Sequence, residues 1–168
     1  PMRFMVILNL DINQKRLDEL KNGLDRTNEI TNEKLKLCRD LIFTKNIEDL
    51  MRADVYIITV PTPIDKNKIP DLTFIKNASK IVGDSLKKKV IEERNLNEKQ
   101  SIVILESTVY PGVTEEICVP IIEEKSGLKF NSEIDMSSFF CGYSPERINP
   151  GDKKNTLSNI TKITSGSN

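Results

Sequence analysis

Apolar and polar residues alternate along the chain in blocks that have the lengths of strands and helices. The apolar runs are short, continuous and rich in β-branched residues, and a polar turn follows each of them. They predict strands at residues 3–10, 41–44, 54–60, 101–105 and 139–143, with residues 162–164 as a shorter candidate. Continuous rather than alternating apolar runs are typical of a parallel sheet that is covered on both faces.

Between these runs, apolar residues recur at spacings of three and four, which predicts helices. The predicted helices span residues 13–22, 32–39, 72–93 and 114–126, with a helical turn at 46–51. Asn13, Thr31, Asp71 and Thr114 are placed as helix caps, and Pro120 should kink the last helix or mark its true start. Strands that alternate with helices predict an α/β fold, a Rossmann-like parallel sheet with helices on both faces and one core.

Composition excludes several classes of protein. The chain has 168 residues, about the length of one domain. Lys and Arg number 25, as do Asp and Glu, and this balance argues against a nucleic-acid binder with a basic patch. The absence of histidine excludes His-based general bases, Ser-His-Asp triads and His-ligated metals. No apolar run approaches the roughly 20 residues of a membrane helix, and no leader opens the chain, so we expect a cytoplasmic protein without membrane contact.

Glycine and cysteine spacing excludes further kinds of site. The 7 glycines are too far apart for an intact G-x-G-x-x-G turn or Walker A loop. Cys38, Cys118 and Cys141 form no C-x-x-C pair, so neither a zinc site nor a disulfide framework is indicated. We expect all three to be packing residues, because none has the electropositive surroundings of a nucleophile. No metal site is predicted.

Candidate chemistry should lie at the strand tips, because ligands of open parallel sheets bind beyond the carboxyl ends of the strands. Asp11 ends the first strand, in the position of an acid that grips ribose hydroxyls, and Arg16 follows in the next helix. Asp11 also fits an ordinary acid near a helix start, and Arg16 also fits an ordinary solvated arginine of a helix. The stiff loop Val60-Pro61-Thr62-Pro63 could hold a cofactor without rearranging, or could simply terminate its strand.

Two further strand tips carry hydroxyl and carboxylate groups. Ser107 and Thr108 could hold a ribose or orient a water molecule, although such residues also commonly cap helices. Glu146, fixed by the preceding proline, could act as a general base. With Arg147 it could instead form a surface ion pair of little energetic value.

Four sequence strings occur in one order and cover almost the whole chain: DINQKRLDELKNGLDRTNEIT, ADVYIITVPTPID, ILESTVYPGVTEE and CGYSPERINPGDKKN. Together they resemble the UDP-glucose/GDP-mannose dehydrogenase family. ESTVYPG and YSPERINPGD are similar to the branch that oxidises UDP-N-acetylhexosamines. The resemblance implies an enzyme that takes the C6 alcohol of a UDP-sugar to a carboxylate while reducing two NAD⁺, for polysaccharide precursors of capsule or O-antigen.

The resemblance also implies roles for individual residues. The implied NAD contacts are Asp11, Arg16, Val60, Pro61, Thr62, Ser107 and Thr108. The implied catalytic residues are Thr108, which orients water, and Glu146, which assists hydrolysis of a thioester intermediate. The UDP-sugar is expected near Glu146, Arg147 and Ile148.

The chain departs from the family pattern at both ends. The family opens with a strand and a G-x-G-x-x-G turn, and this chain starts one βα unit later. The family's catalytic Cys and Lys, its dimerising helix and its UDP-binding domain follow beyond residue 168. We therefore expect residues 1–168 to be a truncated NAD-binding domain, inactive alone, with homo-oligomeric full-length relatives. A non-catalytic nucleotide-sugar binding or assembly module with the same fold remains the alternative.

In a sheet of order 3-2-1-4-5-6, the first strand of the family lies between the strands predicted at residues 3–10 and 54–60. Without it, both strands expose unpaired backbone groups. We expect that the two strands close up on each other, that a neighbouring chain fills the gap, or that the isolated domain is marginally stable.

Overall fold

Strands and helices alternate in the computed structural model, which describes residues 6–27, 30–38, 40–92, 100–132, 138–147 and 159–167. The strands are β1 (Ile7–Leu10), β2 (Leu41–Thr44), β3 (Val55–Ile58), β4 (Ser101–Leu105), β5 (Lys129–Phe130), β6 (Ser138–Tyr143) and β7 (Ser165–Gly166). The helices are α1 (Gln14–Lys21), α2 (Asn32–Leu37), α3 (Thr73–Glu92) and α4 (Val119–Ser126). A 3₁₀ helix, Ile47–Arg52, precedes β3, and a π-helical segment, Thr114–Cys118, leads into α4. The predicted α/β class is confirmed.

The strands form two sheets. β1 and β2 pair in parallel as a two-stranded sheet, and the second sheet has the order β3-β4-β6-β5, also parallel. β7 adds to β6 in the antiparallel direction. β1 and β3 are not paired with each other, so the first of the three outcomes that we expected for them does not occur. Among the described residues, each of the two strands instead pairs on one side only.

One face of the larger sheet carries the hydrophobic core. Tyr56, Val103 and Cys141 lie side by side on β3, β4 and β6, and all three are buried. Ile75 of α3 and Ile122 of α4 belong to the same cluster and are fully buried. The apolar spacing of α3 therefore packs this helix against the sheet, as the sequence predicts.

The other face of this sheet differs from the expectation that helices cover both sides. Val55, Ile57 and Ile102 lie on that face, and between 41% and 55% of each residue is exposed. α3 and α4 pack against each other and against the core face, whereas α1 contacts β2 of the smaller sheet. Among the described residues, no helix covers the face that carries Ile57.

Capping residues set most of the predicted helix starts. The side chains of Asn13 and Thr31 accept hydrogen bonds from backbone N–H groups of α1 and α2, and Asp71 accepts one from the backbone N–H of Thr73. Thr114 was wrongly predicted as a cap, because it lies buried inside the π-helical segment and caps nothing. α4 begins only at Val119, so Pro120 marks the true start of this helix, one of the two outcomes that the sequence predicts.

The short strands escaped sequence-based prediction. β5 and β7 have only two residues each, and the last strand lies at Ser165–Gly166 instead of the predicted residues 162–164. Two residues carry no hydrophobic period, so such strands exist only because a neighbouring strand offers its free edge.

Candidate functional site

A cleft of about 350 Å³ lies where β3, β4 and β6 end. It is lined by residues 59–62, 106–108 and 146. The carboxyl ends of parallel strands meet at one edge of a sheet, which is where ligands of such sheets bind. The structure thus brings six residues predicted from the sequence into one place: Val60, Pro61, Thr62, Ser107, Thr108 and Glu146.

Backbone hydrogen bonds extend beyond the strands and fix the walls of this cleft. The N–H of Glu106 donates to the carbonyl of Ile58 at 2.9 Å, and the N–H of Glu146 donates to the carbonyl of Glu106 at 3.2 Å. The buried hydroxyl of Ser107 donates to the carbonyl of Val60 at 2.6 Å. The ends of all three strands are therefore tied together, and the Ser107 oxygen keeps lone pairs with which it can accept a hydrogen bond.

The loop that begins at Pro61 folds back on itself. The N–H of Asp71 donates to the carbonyl of Pro63 at 2.7 Å, and the Asp65 carboxylate accepts hydrogen bonds from two backbone N–H groups of the following turn. In the lining of the cleft, the hydroxyl of Thr62 is buried without a hydrogen-bond partner among the described residues. A buried hydroxyl without a partner is unfavourable, so a polar ligand group at this point would be stabilising.

Thr108 and Glu146 are both exposed, as are Thr59 and Pro61 in the same lining. The Glu146 carboxylate accepts a hydrogen bond at 2.6 Å from the backbone N–H of Arg147, whose side chain is also exposed. The Thr108 hydroxyl and the Glu146 carboxylate can therefore contact water and a substrate that enters from solvent. Ile148, which was predicted to contact the substrate, lies outside the described residues.

Glu106 is a cleft residue that our reading of the sequence missed. It lines the cleft next to Ser107, and the ammonium of Lys162 lies 2.6 Å from its Oε1 atom. A charged residue directly after a buried strand was the available signal for Glu106. No local signal marks Lys162, which lies 56 positions away from its partner in the sequence.

Asp11 and Arg16 lie apart from this cleft, at the carboxyl end of β1. The half-buried Asp11 carboxylate accepts a hydrogen bond at 2.8 Å from the backbone N–H of Asn13, whose side chain caps α1. Arg16 in the first turn of α1 donates to Asp25 at 2.7 Å through Nη2. Its Nη1 is buried without a partner among the described residues. This second cluster offers a carboxylate and a guanidinium N–H group to a ligand.

Asp25 organises the loop that follows α1. Besides Arg16, the carboxylate accepts hydrogen bonds from the backbone N–H and the hydroxyl of Thr27 and from the backbone N–H of Ile30. Burial alone would raise the pKa of Asp25, but these hydrogen bonds hold the pKa well below its usual range. No pattern in the sequence marks Asp25, because it stands among other polar residues.

The cysteines divide into two kinds. Cys118 and Cys141 are buried in the core, as predicted, and burial raises the pKa of the Cys141 thiol to about 12. The prediction that Cys38 is a packing residue is wrong, because it follows the last turn of α2 and is exposed. The buried thiols remain protonated at neutral pH and are poor nucleophiles.

The part of the chain that the structure describes holds neither a cluster of metal ligands nor a membrane-spanning helix. Within it, His, Cys, Asp and Glu side chains form no group of three or more that could hold a metal ion. In the same residues, no helix is both long and apolar enough to cross a membrane.

Comparison with known sequences identifies the domain. The family model described as "UDP-glucose/GDP-mannose dehydrogenase family, NAD binding domain" matches residues 3–168. The chain belongs to this dehydrogenase family. The predictions of the family and of NAD as its cofactor are thereby confirmed.

Individual relatives refine the position of the chain in the family. It is 51% identical to the UDP-N-acetyl-D-glucosamine 6-dehydrogenase of Pseudomonas aeruginosa over 161 residues, 96% of this chain and 34% of that protein. It is also 51% identical to Protein CapL of Staphylococcus aureus, over 95% of this chain and 34% of that protein. The chain therefore spans about a third of the length of these relatives.

Solved structures confirm the Rossmann-like fold. The NDP-N-acetyl-D-galactosaminuronic acid dehydrogenase from Methanosarcina mazei superposes with a TM-score of 0.73 at 22% identity, covering 97% of this chain and 34% of that one. At this identity the similarity concerns the fold alone.

The residues of the cleft and of the Asp11–Arg16 cluster fit NAD. An acid at a strand tip suits ribose hydroxyls, and the unpartnered Thr62 hydroxyl and Arg16 Nη1 supply the donors that sugar and phosphate oxygens need. Both clusters lie at carboxyl ends of strands, β1 for one and β3, β4 and β6 for the other.

Proposed function

We propose that the protein containing this chain is an NAD-dependent 6-dehydrogenase of UDP-N-acetylhexosamines. The cleft carries this proposal, because it gathers hydroxyl groups and two carboxylates from three strand ends. The names of the 51% identical relatives support the substrate class. The C6 alcohol of the UDP-sugar would be oxidised to the carboxylate in two steps.

In this proposal, the cofactor spans the cleft and the cluster formed by Asp11 and Arg16. Asp11 accepts hydrogen bonds from ribose hydroxyls, and Arg16 donates to the cofactor from the adjacent helix turn. Val60, Pro61 and Thr62 form the wall along which the cofactor lies, and their fixed backbone lowers the entropy that binding costs. NAD, when bound, supplies the hydride acceptor.

The hydroxyl and carboxylate groups of the cleft bind water and substrate in this proposal. The hydroxyl of Ser107, held on Val60, accepts a hydrogen bond from the ligand. Thr108 orients a water molecule, and the Glu146 carboxylate accepts the proton that this water loses in the hydrolytic step. Arg147 approaches the anionic part of the UDP-sugar.

A direct absorbance assay on the full-length protein tests this function. NADH absorbance is followed with UDP-N-acetylglucosamine, UDP-N-acetylgalactosamine and UDP-glucose. We expect two NADH per N-acetylated sugar and much slower turnover of UDP-glucose. If NADH binds but no sugar is oxidised, the non-catalytic binding module becomes the better explanation.

Two variants separate catalysis from folding. Glu146→Gln should lower kcat about 10²–10⁴-fold, because it removes a proton acceptor and keeps the shape. The Kd of NADH should stay unchanged or fall, because the variant removes a negative charge near the anionic cofactor. The matched control is Glu124→Gln on α4, where the carboxylate is 74% exposed and outside the cleft lining. Equal losses in both variants would contradict the role of Glu146.

A further inference from the structure

An ion pair joins the edge of the cleft to a distant part of the chain. The Lys162 ammonium lies 2.6 Å from the Glu106 carboxylate, with 31% and 24% of the two side chains exposed. Glu106 lines the cleft at the end of β4, whereas Lys162 belongs to the segment of residues 159–167. The short distance and partial burial make this a stronger contact than a fully solvated pair.

The segment that carries Lys162 is anchored without its side chain. β7 pairs with β6, and the N–H of Ser167 donates to the carbonyl of Cys141 at 3.1 Å. β6 and β7 approach so closely at Gly142 that a Cβ atom there would lie 3.0 Å from the carbonyl oxygen of Ser165. Shortening or neutralising Lys162 should therefore leave the backbone in place.

Lys162 lies beside a cleft whose lining residues are acidic rather than basic. The lining contains two carboxylates, Glu106 and Glu146, and no Lys or Arg side chain among its described residues. NAD⁺ and NADH are anions through their pyrophosphate groups, and NADH carries one more negative charge than NAD⁺. Carboxylates near such a ligand repel it unless a cation offsets them.

We propose that Lys162 is an electrostatic positioning residue of the cofactor site. It holds the Glu106 carboxylate against its ammonium group and offsets the negative charge at the cleft, which allows the anionic dinucleotide to bind. The proposal rests on the proposed function, because it assumes that NAD occupies this cleft.

A double-mutant cycle in the full-length protein tests the proposal, with NADH fluorescence titration and displacement by NAD⁺. Lys162→Met should raise the Kd of NADH about 3–10-fold, and that of NAD⁺ less, because it leaves an uncompensated carboxylate. Glu106→Gln should leave the Kd unchanged or lower it, because it leaves an uncompensated ammonium. The double variant should return close to the wild-type Kd, and high salt should shrink all differences.

The direction in which Glu106→Gln changes the Kd of NADH distinguishes this electrostatic mechanism from a purely structural tether. A tether would make both single variants weaken binding, so a Kd that rises with Glu106→Gln overturns the proposal. An unchanged Kd in Lys162→Met also overturns it. Lys162→Arg, which keeps the charge, should bind NADH nearly as wild type does. If Lys162→Met fails to fold, Lys162→Gln, which also removes the charge, takes its place.

Lys88→Met provides the matched control. Lys88 pairs with Glu48 at 3.1 Å, and the 3₁₀ helix that carries Glu48 leads into the amino end of β3, at the sheet edge opposite the cleft. Its removal changes the net charge equally and should leave the Kd unchanged. If wild-type protein binds no NADH, the proposed function fails and this inference falls with it; if only the variants behave unexpectedly, this inference alone fails.

Discussion

At Asp25, a carboxylate that is only 5% exposed is held in its ionised form by the groups around it. Thr27, Arg16 and Ile30 all donate to it, so the ionised form is worth more in the folded chain than in the unfolded one. The same carboxylate fixes the guanidinium of Arg16, one of the proposed cofactor contacts. Asp25 thus fixes the position of a proposed cofactor contact.

Asp25→Asn tests this role through stability. The folded pKa of Asp25 lies below the unfolded value, so its stabilisation is complete above about pH 4 and is lost as pH falls through the folded pKa. We expect the variant to lose about 1–3 kcal/mol of unfolding free energy at neutral pH, and less as the pH falls below 4. Urea melts at several pH values measure this, and a loss independent of pH would contradict it.

At the scale of elements, the contact between α3 and α4 depends on the absence of a side chain. At Gly83 of α3, a Cβ atom would lie 2.6 Å from Cβ of Lys125 and 3.2 Å from the carbonyl oxygen of Ile122. Helix propensity favours alanine over glycine by about 1 kcal/mol, so the sequence alone would recommend the substitution. The close helix contact predicts the opposite.

We expect Gly83→Ala to destabilise the domain by about 1–2 kcal/mol, because overpacking outweighs the gain in helix propensity. The control is Asn77→Ala, at an exposed position of the same helix, which should be neutral or slightly stabilising. Thermal or urea melts of both variants decide the matter. Stabilisation by Gly83→Ala would show that the two helices can move apart without cost.

At the scale of the whole molecule, the larger sheet is asymmetric. Its core face is closed by α3 and α4, whereas Val55, Ile57 and Ile102 on its other face are between 41% and 55% exposed. Hydrophobic stabilisation follows the apolar area removed from water. Neighbouring residues of one strand should therefore differ strongly in their contribution to stability.

Ile58 and Ile57 of β3 test this asymmetry directly, since 4% of the first and 55% of the second is exposed. We expect Ile58→Ala to cost about 2–4 kcal/mol and Ile57→Ala less than about 1 kcal/mol. The two variants remove the same atoms from adjacent positions, so each controls for the strand propensity of the other. Equal losses in urea melts would mean that something covers the Ile57 face in solution.

Local patterns in the sequence predicted much of this domain. The five longer strands and four helices follow from hydrophobic period, caps and prolines, all of which act over a few residues. The rule that ligands bind at the carboxyl ends of parallel strands then singled out six residues that line the cleft. The same reasoning missed Glu106, and it misplaced Thr114 and Cys38, whose surroundings depend on how elements pack.

The sequence by itself determined the α/β class, the order of its elements, the family and the strand tips, because each of these rests on local periodicity or contiguous motifs. Only the tertiary structure decided that β1 and β3 join different sheets, that Asp25 holds Arg16, and that Lys162 meets Glu106. The last two partners lie 56 residues apart. Such pairs arise from the path of the chain in space, which no local pattern of polar and apolar residues records.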